Sequence, residues 1–160
     1  MDQMNQIRKR HIALMKTTGE IIGNVLKNVT QTQATTFRDG PGGWTVLEVM
    51  GHLQEFDGFF RGRAEMMLAQ DYPALPAYDH EALAIEHNYN DQDLRQVYAD
   101  FVQSRGQTVA FFNDLTEEQW QQAGVHPERG HFTMTDAVMQ VGLHDANHLE
   151  QITRILAQAE

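Results

Sequence analysis

The chain has 160 residues, of which 41% are hydrophobic and 21% charged, with 12 Lys plus Arg against 22 Asp plus Glu. This composition is typical of one globular domain over residues 1–160 and argues against a disordered chain. The net charge of −10, with scattered basic residues, argues against binding to nucleic acid or to a membrane surface. No apolar stretch is long enough for a signal peptide or a membrane span, so we expect a cytoplasmic protein.

The first half of the chain predicts two long helices separated by a loop. Apolar residues recur with helical spacing from about residue 4 to about residue 29. Residues 30–43 end in DGPGG and are predicted to form a loop, because clustered glycine and proline interrupt helices. The second helix begins at a capping box formed by Thr45 and Glu48 and extends to about residue 69.

The second half predicts two more long helices and no strand. Residues 71–90 contain two prolines and are longer than a tight turn, so we expect them to cross an end or a side of the molecule. A third helix is predicted over about residues 91–115, followed by a short capped helix and an irregular segment over residues 124–132. The last helix begins near residue 133 or 135 and extends almost to residue 160. The fold class is therefore all-α, a helical bundle.

Two histidines in the last predicted helix carry the strongest functional signal. His144 and His148 are four residues apart, so both side chains point to the same side of the helix, within its apolar stripe. His52 lies on the apolar side of the second helix. Three imidazoles from two helices would leave a coordination position open, as in catalytic metal sites. The chain has no cysteine, so a metal would have to be bound by histidine or carboxylate.

A structural interpretation competes with the metal site at each histidine. A single buried histidine is more often a hydrogen-bonded core residue than a metal ligand. A pair of imidazoles in one apolar stripe is harder to satisfy without an ion, and the pairing therefore favours ligation. The other histidines lack such a spacing and are predicted to be surface or loop residues; they are His11, His80, His87, His126 and His131.

Two charged residues are weaker candidates for a catalytic role. Glu48 lies one turn before His52 and could act as a general base or as an acceptor beside the metal, although its capping partnership with Thr45 already explains it. Arg105 lies on the apolar side of the third helix, where a guanidinium needs a partner. It could pair with an internal carboxylate such as Glu48 or bind an anionic group of a thiol or substrate. Trp44 is predicted to pack at the start of the second helix rather than against a ligand.

Two segments resemble motifs of the DinB-like superfamily. WTVLEVMGHL at residues 44–53 is similar to the tryptophan, capped helix and inward histidine of that family, and HDANHLEQI at residues 144–152 is similar to its closing motif. The long connection before the third helix, Arg105 and the turn GHFTMTDAV extend the resemblance over most of the chain. It implies a four-helix bundle with up-down-down-up topology, a metal bound by His52, His144 and His148, and a homodimer.

The resemblance implies the function less sharply than the fold. Some members of the family are metal-dependent transferases or isomerases that use a small thiol such as bacillithiol or mycothiol, and others are described as metal-dependent hydrolases. We therefore expect a thiol-dependent S-transferase that activates a low-molecular-weight thiol against small electrophiles. The alternatives are a hydrolase that activates water and a noncatalytic, stress-associated metal-binding bundle. Imidazole ligands accommodate several divalent metals, with zinc our first expectation, nickel the second and iron also compatible.

Overall fold

Four long helices form the bundle that the sequence predicts. The computed structural model describes residues 2–159. The long helices are α1 (Gln3–Leu26), α3 (Val46–Ala69), α5 (Leu94–Asn113) and α6 (Met134–Leu156), and the short helices are α2 (Gln31–Thr36) and α4 (His80–Glu86). Single 3-10 turns occur at Tyr89–Asp91, Gln119–Gln121 and Ala157–Ala159. An antiparallel hairpin of β1 (Ala123–His126) and β2 (Gly130–Thr133) precedes α6.

The long helices have up-down-down-up topology. Helix α1 packs against α5 and α6, and α3 packs against the same two helices, so α3 and α6 are direct neighbours. Contacts between the helices show that α1 and α6 are parallel, that α1 and α5 are antiparallel, and that α3 and α5 are parallel. Arg8–Thr135 and Arg95–Leu26 join helix ends, and Asp57–Arg105 with Arg61–Thr108 advance together along α3 and α5. Helices α3 and α6 therefore run in opposite directions.

The apolar core lies between the helices in two clusters. One surrounds Phe60, Phe112 and Phe132, and the other surrounds Leu53 and Phe101. Both clusters take residues from α3 and α6, because the apolar stripe of each helix faces its neighbours along the whole length. Within residues 2–159, no helix has both the length and the low polarity that a membrane span requires.

The structure differs from the sequence predictions in two connecting segments. Helix α2 lies in residues 30–43, where we expected only a loop; it begins at a capping box of Thr30 and Gln33. The β hairpin of Ala123–His126 and Gly130–Thr133 covers residues 124–132, which we expected to be irregular. Its strands have four residues each, too few to show alternation in the sequence, and Gly130 makes the turn with φ +71°.

The long connection between α3 and α5 packs against the hairpin. The Leu75 amide donates to the Val125 carbonyl at 2.9 Å, and the Val125 amide donates to the Pro73 carbonyl at 2.8 Å. Helix α4 follows this bridge and brings His80 next to Trp44, with ring centroids 5.8 Å apart. The connection and the hairpin together therefore extend the wall that α3 and α6 form.

Candidate metal centre

Three histidines from two helices converge inside the bundle. His52 lies on α3, and His144 and His148 lie one turn apart on α6. One ring nitrogen of each histidine lies within 4.8 Å of the other two. The Nε2 atoms of His52 and His144 are 2.9 Å apart. The structure thus brings together the three histidines that the sequence spacing singled out.

Both helices that carry the cluster begin at defined residues. The Thr45 side chain accepts from the Glu48 amide at 3.1 Å, and the Glu48 carboxylate accepts from the Thr45 amide at 2.7 Å. Thr133 and Asp136 form the same arrangement at the start of α6. A capping box satisfies amides that a helix end leaves free, so it fixes where the helix starts. The two capping boxes therefore determine how far each histidine lies from the start of its helix.

Burial keeps the three imidazoles neutral at pH 7. Desolvation lowers the pKa of His52 to about 3, and the neighbouring His148 adds to this effect. Burial also lowers the pKa of His144 well below its ordinary value. In His148 burial again lowers the pKa, although a hydrogen bond to Gln151 opposes the change. Neutral imidazoles have a free lone pair, which is the form that binds a metal.

A hydrogen-bonded chain holds His148 in one tautomer. His148 Nδ1 lies 2.8 Å from Gln151 Oε1. An amide oxygen only accepts, so Nδ1 carries the proton and Nε2 offers its lone pair. Gln151 Nε2 donates to Asp39 at 3.0 Å, and Asp39 also accepts from Arg154, which lowers the pKa of that carboxyl. The bonds from Arg154 through Asp39 and Gln151 therefore fix the orientation of the His148 ring and leave its Nε2 lone pair free.

The histidine cluster forms part of the wall of a cavity of about 510 Å³. This volume falls within the range of small-molecule binding sites. The aromatic lining consists of Trp44, Phe56, Phe60 and Tyr78, and the charged or polar lining includes Asp39, Arg63, His80, Glu81, His126, Glu128, Arg129, Gln140 and Gln151. A small molecule in this cavity would contact imidazoles, apolar rings and charged groups.

Sequence comparison places the chain in a known family. Residues 6–152 match the family model of the DinB superfamily. The chain belongs to the DinB superfamily. This confirms the resemblance inferred from the two sequence motifs.

Two relatives in the superfamily have names that refer to metal chemistry. YfiT of Bacillus subtilis, named as a candidate metal-dependent hydrolase, is 27% identical over 122 residues, which cover 76% of this chain and 67% of YfiT. A candidate metal-dependent hydrolase of Oceanobacillus iheyensis is 26% identical over 120 residues, covering 73% of this chain and 66% of its own length. The matched segment therefore spans about two thirds of each relative.

Solved structures share the fold of this DinB-superfamily chain. The YfiT structure, described as an unusual four-helix bundle topology, superposes with a TM-score of 0.88 at 21% identity and covers 99% of this chain and 90% of its own. The mycothiol-dependent maleylpyruvate isomerase superposes with a TM-score of 0.76 at 11% identity, over 95% of this chain and 63% of its own. At such identities the likeness establishes the architecture and leaves the reaction open.

Glu48 lies in the helix cap rather than in the cavity. Its carboxylate accepts from the Thr45 amide at 2.7 Å and from Arg38 Nη1 at 3.0 Å. It does not belong to the cavity lining formed within residues 2–159. Both bonds go to Glu48 Oε2, and they account for Glu48 through capping and through its ion pair with Arg38.

Arg105 lies in a buried ion network instead of the cavity wall. Its Nε donates to Asp57 at 2.7 Å, and its Nη2 donates to Asp145 at 2.9 Å. The Asp145 carboxylate raises the pKa of Arg105 against the opposing effect of burial. Of the two roles that the sequence left open for Arg105, the structure has the pairing with internal carboxylates, and the partners are Asp57 and Asp145 rather than Glu48. The network therefore ties α5 to both histidine-bearing helices next to His144.

Three aromatic residues outside the predicted site line the cavity, and one of them, His126, contradicts its prediction. His126 is 5% exposed and lines the cavity, so its prediction as a surface or loop residue was wrong. His80 is exposed, as predicted, but its ring lies 6.0 Å from that of His52 and also lines the cavity. Trp44 packs at the start of α3 and in addition faces the cluster, with ring centroids 5.1 Å from His52. Sequence periodicity could not reveal these positions, because loops and the hairpin bring the residues to α3.

Proposed function

We propose that this chain is a metal-dependent enzyme in which His52, His144 and His148 hold a divalent ion. The observation that supports this proposal is the convergence of three neutral imidazole nitrogens within 4.8 Å of one another, at the wall of a cavity of about 510 Å³. Three protein nitrogens leave a coordination position open, a feature of catalytic rather than structural metal sites.

The hydrogen bonding of the cluster fits an ion. His52 Nδ1 is buried and has no hydrogen-bond partner within residues 2–159. No neighbour therefore fixes the proton of this ring on one nitrogen. With the proton on Nδ1 of both rings, as metal ligation through Nε2 requires, the Nε2 lone pairs of His52 and His144 face each other at 2.9 Å, and a cation beside them would accept both. Imidazole ligands bind several divalent metals, and we propose zinc as the first choice, nickel as the second and iron as the third.

We infer that the nucleophile is a low-molecular-weight thiol and that the reaction is an S-transfer to a small electrophile. When bound, the ion would lower the pKa of a thiol or water enough to make it nucleophilic at neutral pH. The mycothiol-dependent isomerase, which shares the fold, is named for its thiol and supports this choice. The rings of Trp44, Phe56 and Tyr78 line the cavity, where they would exclude water and hold the electrophile.

A hydrolase is the second candidate function. The two relatives described above are both named as candidate metal-dependent hydrolases, which favours water as the nucleophile. The same three histidines and the same cavity would serve, because water would take the place of the thiol. A noncatalytic metal-binding bundle is the third outcome that an activity assay must distinguish.

Two further features of the proposal are the location and the oligomeric state, of which only the second comes from the family resemblance. We propose that the protein is cytoplasmic and forms a homodimer. Its partners would then be a small-molecule electrophile, a thiol and a second copy of the chain. We propose neither nucleic acid nor a membrane as a partner, because a protein with a net charge of −10 would be repelled by the anionic surface of each.

A thiol-consumption assay separates the candidate functions. Metal-loaded protein is incubated with chlorinated aromatic and epoxide electrophiles and a panel of small thiols, and both product and free thiol are measured. The transferase predicts thiol loss equal to product formation, with a rate that falls to background in the triple variant His52→Ala, His144→Ala, His148→Ala. The matched control is His131→Ala, since His131 is exposed and bonds to Tyr72 outside the cluster.

The other outcomes of this assay are equally specific. Product formation without thiol loss would establish the hydrolase and reject the transferase. No rate above the triple variant with any electrophile would reject both enzymes and leave the noncatalytic bundle.

A further inference from the structure

Arg63 brings a buried positive charge to the cavity without a carboxylate in direct contact with it. The residue is 5% exposed and lines the cavity. No carboxylate among residues 2–159 forms an ion pair with Arg63, whereas Arg105 forms ion pairs with Asp57 and Asp145. Burial lowers the pKa of Arg63 by more than the nearby Tyr78 and Glu128 raise it.

The neighbours of Arg63 hold the guanidinium in place and leave part of it free. Nε and Nη2 donate to the Pro76 carbonyl at 3.1 and 2.6 Å. The Tyr78 ring lies against the guanidinium, with Cζ 5.0 Å from the ring centroid. Nη1 makes a contact of 3.1 Å with His126 Nε2. Since a guanidinium carries five N–H groups, further donors remain for a ligand.

The contact between Arg63 and His126 brings two donors together. His126 Nδ1 accepts from the Glu128 amide at 3.2 Å. A backbone amide only donates, and burial lowers the pKa of His126, so the neutral ring carries its proton on Nε2. That proton faces the N–H of Arg63 Nη1 at 3.1 Å between the nitrogens. Two facing donors are satisfied when one oxyanion accepts from both.

We propose that Arg63 and His126 form an anion subsite that binds a carboxylate of the substrate. Arg129 and Glu128 also act on Arg63 and His126, and their opposite charges offset each other. The subsite therefore keeps a single positive charge, which suits a carboxylate better than a phosphate dianion. The fork of the guanidinium also matches the two oxygens of a carboxylate. This inference rests on the proposed function for its reaction, and it specifies the substrate class as small molecules with a carboxylate.

The position of the subsite defines the shape of the ligand. Arg63 and His52 both lie on α3, and eleven residues of helix separate their Cα atoms by about 16 Å along the axis. Phe56 and Phe60 lie between them and line the same cavity. We therefore expect a ligand that passes Phe56 and Phe60 with an apolar middle, with its reactive atom at the imidazoles and its carboxylate at Arg63.

The first test uses metal-free protein, so that it does not depend on the metal site. The probes are 3-phenylpropionate and 3-phenylpropanol, which share one carbon skeleton, and NMR titration gives both affinities. We expect the carboxylate to bind about tenfold or more tightly than the alcohol in the wild-type protein. Arg63→Met keeps the length and removes the charge, and it should abolish this preference without weakening alcohol binding. Arg10→Met is the control, because Arg10 is exposed on α1.

A second variant, at His126, keeps the test decisive if Arg63→Met does not fold. His126→Phe removes the Nε2 proton and can keep the ring contact with Phe132, which lies 5.0 Å away between centroids. It should lose part of the preference, and circular dichroism checks that both variants fold. A wild-type protein without the preference, or a preference that persists in folded variants at both positions, would overturn the subsite.

The final arm tests the distance and separates this inference from the proposed function. Cobalt-loaded protein is titrated with mercaptocarboxylates and mercaptoalcohols of increasing chain length, and the thiolate-to-cobalt absorption is measured. The carboxylate should improve binding only in the longer chains, and an equal effect at every length would contradict the geometry. If no thiol gives the absorption while metal-free protein still prefers the carboxylate, the metal-thiol proposal fails and the subsite remains.

Discussion

At the scale of single residues, burial determines the properties of the three imidazoles. His52 is 4% exposed and its ring lies 4.1 Å from that of Phe56 between centroids. A polar ring in such surroundings loses hydration, and the loss costs free energy unless each polar atom gains a partner. An ion between the rings of His52, His144 and His148 would satisfy three lone pairs at once. The same burial makes protonation of these rings unfavourable in the folded state.

The buried histidines predict a loss of stability as the pH falls. The pKa of folded His52 is about 3, whereas 6.5 is the ordinary value. The unfolded state therefore binds the proton first. The contribution of neutral His52 to the free energy of unfolding is fully present above pH 6.5 and is lost as the pH falls towards 3. In metal-free protein, each such histidine lowers the free energy of unfolding by up to about 1.4 kcal/mol per pH unit.

Urea unfolding between pH 6.5 and pH 5 measures this effect, since most carboxylates stay ionised there. We expect the slope of stability against pH to be smaller in His52→Leu than in the wild-type protein. His131→Ala, which changes an exposed histidine, should keep the wild-type slope. Equal slopes in the wild type and His52→Leu would show that His52 is not buried as a neutral ring.

The sequence could predict some site residues and not others. His144 and His148 share one helix, so their spacing alone fixes their common direction. Arg63 lies on α3, but its partner His126 lies on the hairpin, and no local pattern relates the two. Their contact depends on how the hairpin packs against α3, which is a tertiary property.

At the scale of elements, local chemistry explains which boundaries could be predicted. The capping boxes that begin α3 and α6 combine a threonine with an acidic residue three positions later, and both helices start where the sequence indicates. Helix α2 also begins with a capping box, but it has only six residues and buries only Ala34, so it has no apolar periodicity. The β hairpin depends on backbone pairing between short strands, which leaves little trace in side-chain patterns.

Close packing of α1 against α6 predicts a specific glycine effect. A Cβ atom at Gly142 would lie 2.8 Å from the Leu14 side chain, closer than packed atoms allow. Gly142→Ala should therefore destabilise the fold by about 1–3 kcal/mol, because α1 and α6 would have to separate. Urea or thermal unfolding measures the change.

Gly106→Ala provides the matched control on α5. A Cβ atom at Gly106 meets no atom within 4 Å, so this substitution should be neutral or stabilise the helix by up to about 1 kcal/mol. Equal effects of the two substitutions would mean that α1 and α6 are not in close contact at Gly142.

At the scale of the whole molecule, the topology creates the site. Because α3 and α6 are antiparallel neighbours, His52 can meet both histidines of α6. Periodicity in the sequence predicts four helices but does not determine their order in space, and the topology could be inferred only from the family resemblance. The long connection and the hairpin then close the cavity with residues from distant parts of the chain, which is why its charged lining could not be predicted.

Metal analysis of protein purified anaerobically without a histidine tag tests the central claim most directly. We predict about one equivalent of divalent metal per chain, as for a single three-histidine centre. The variants His52→Ala, His144→Ala and His148→Ala should each lose most of it, and His131→Ala should retain it. Folded variants at all three cluster positions that keep the wild-type metal content would contradict the account.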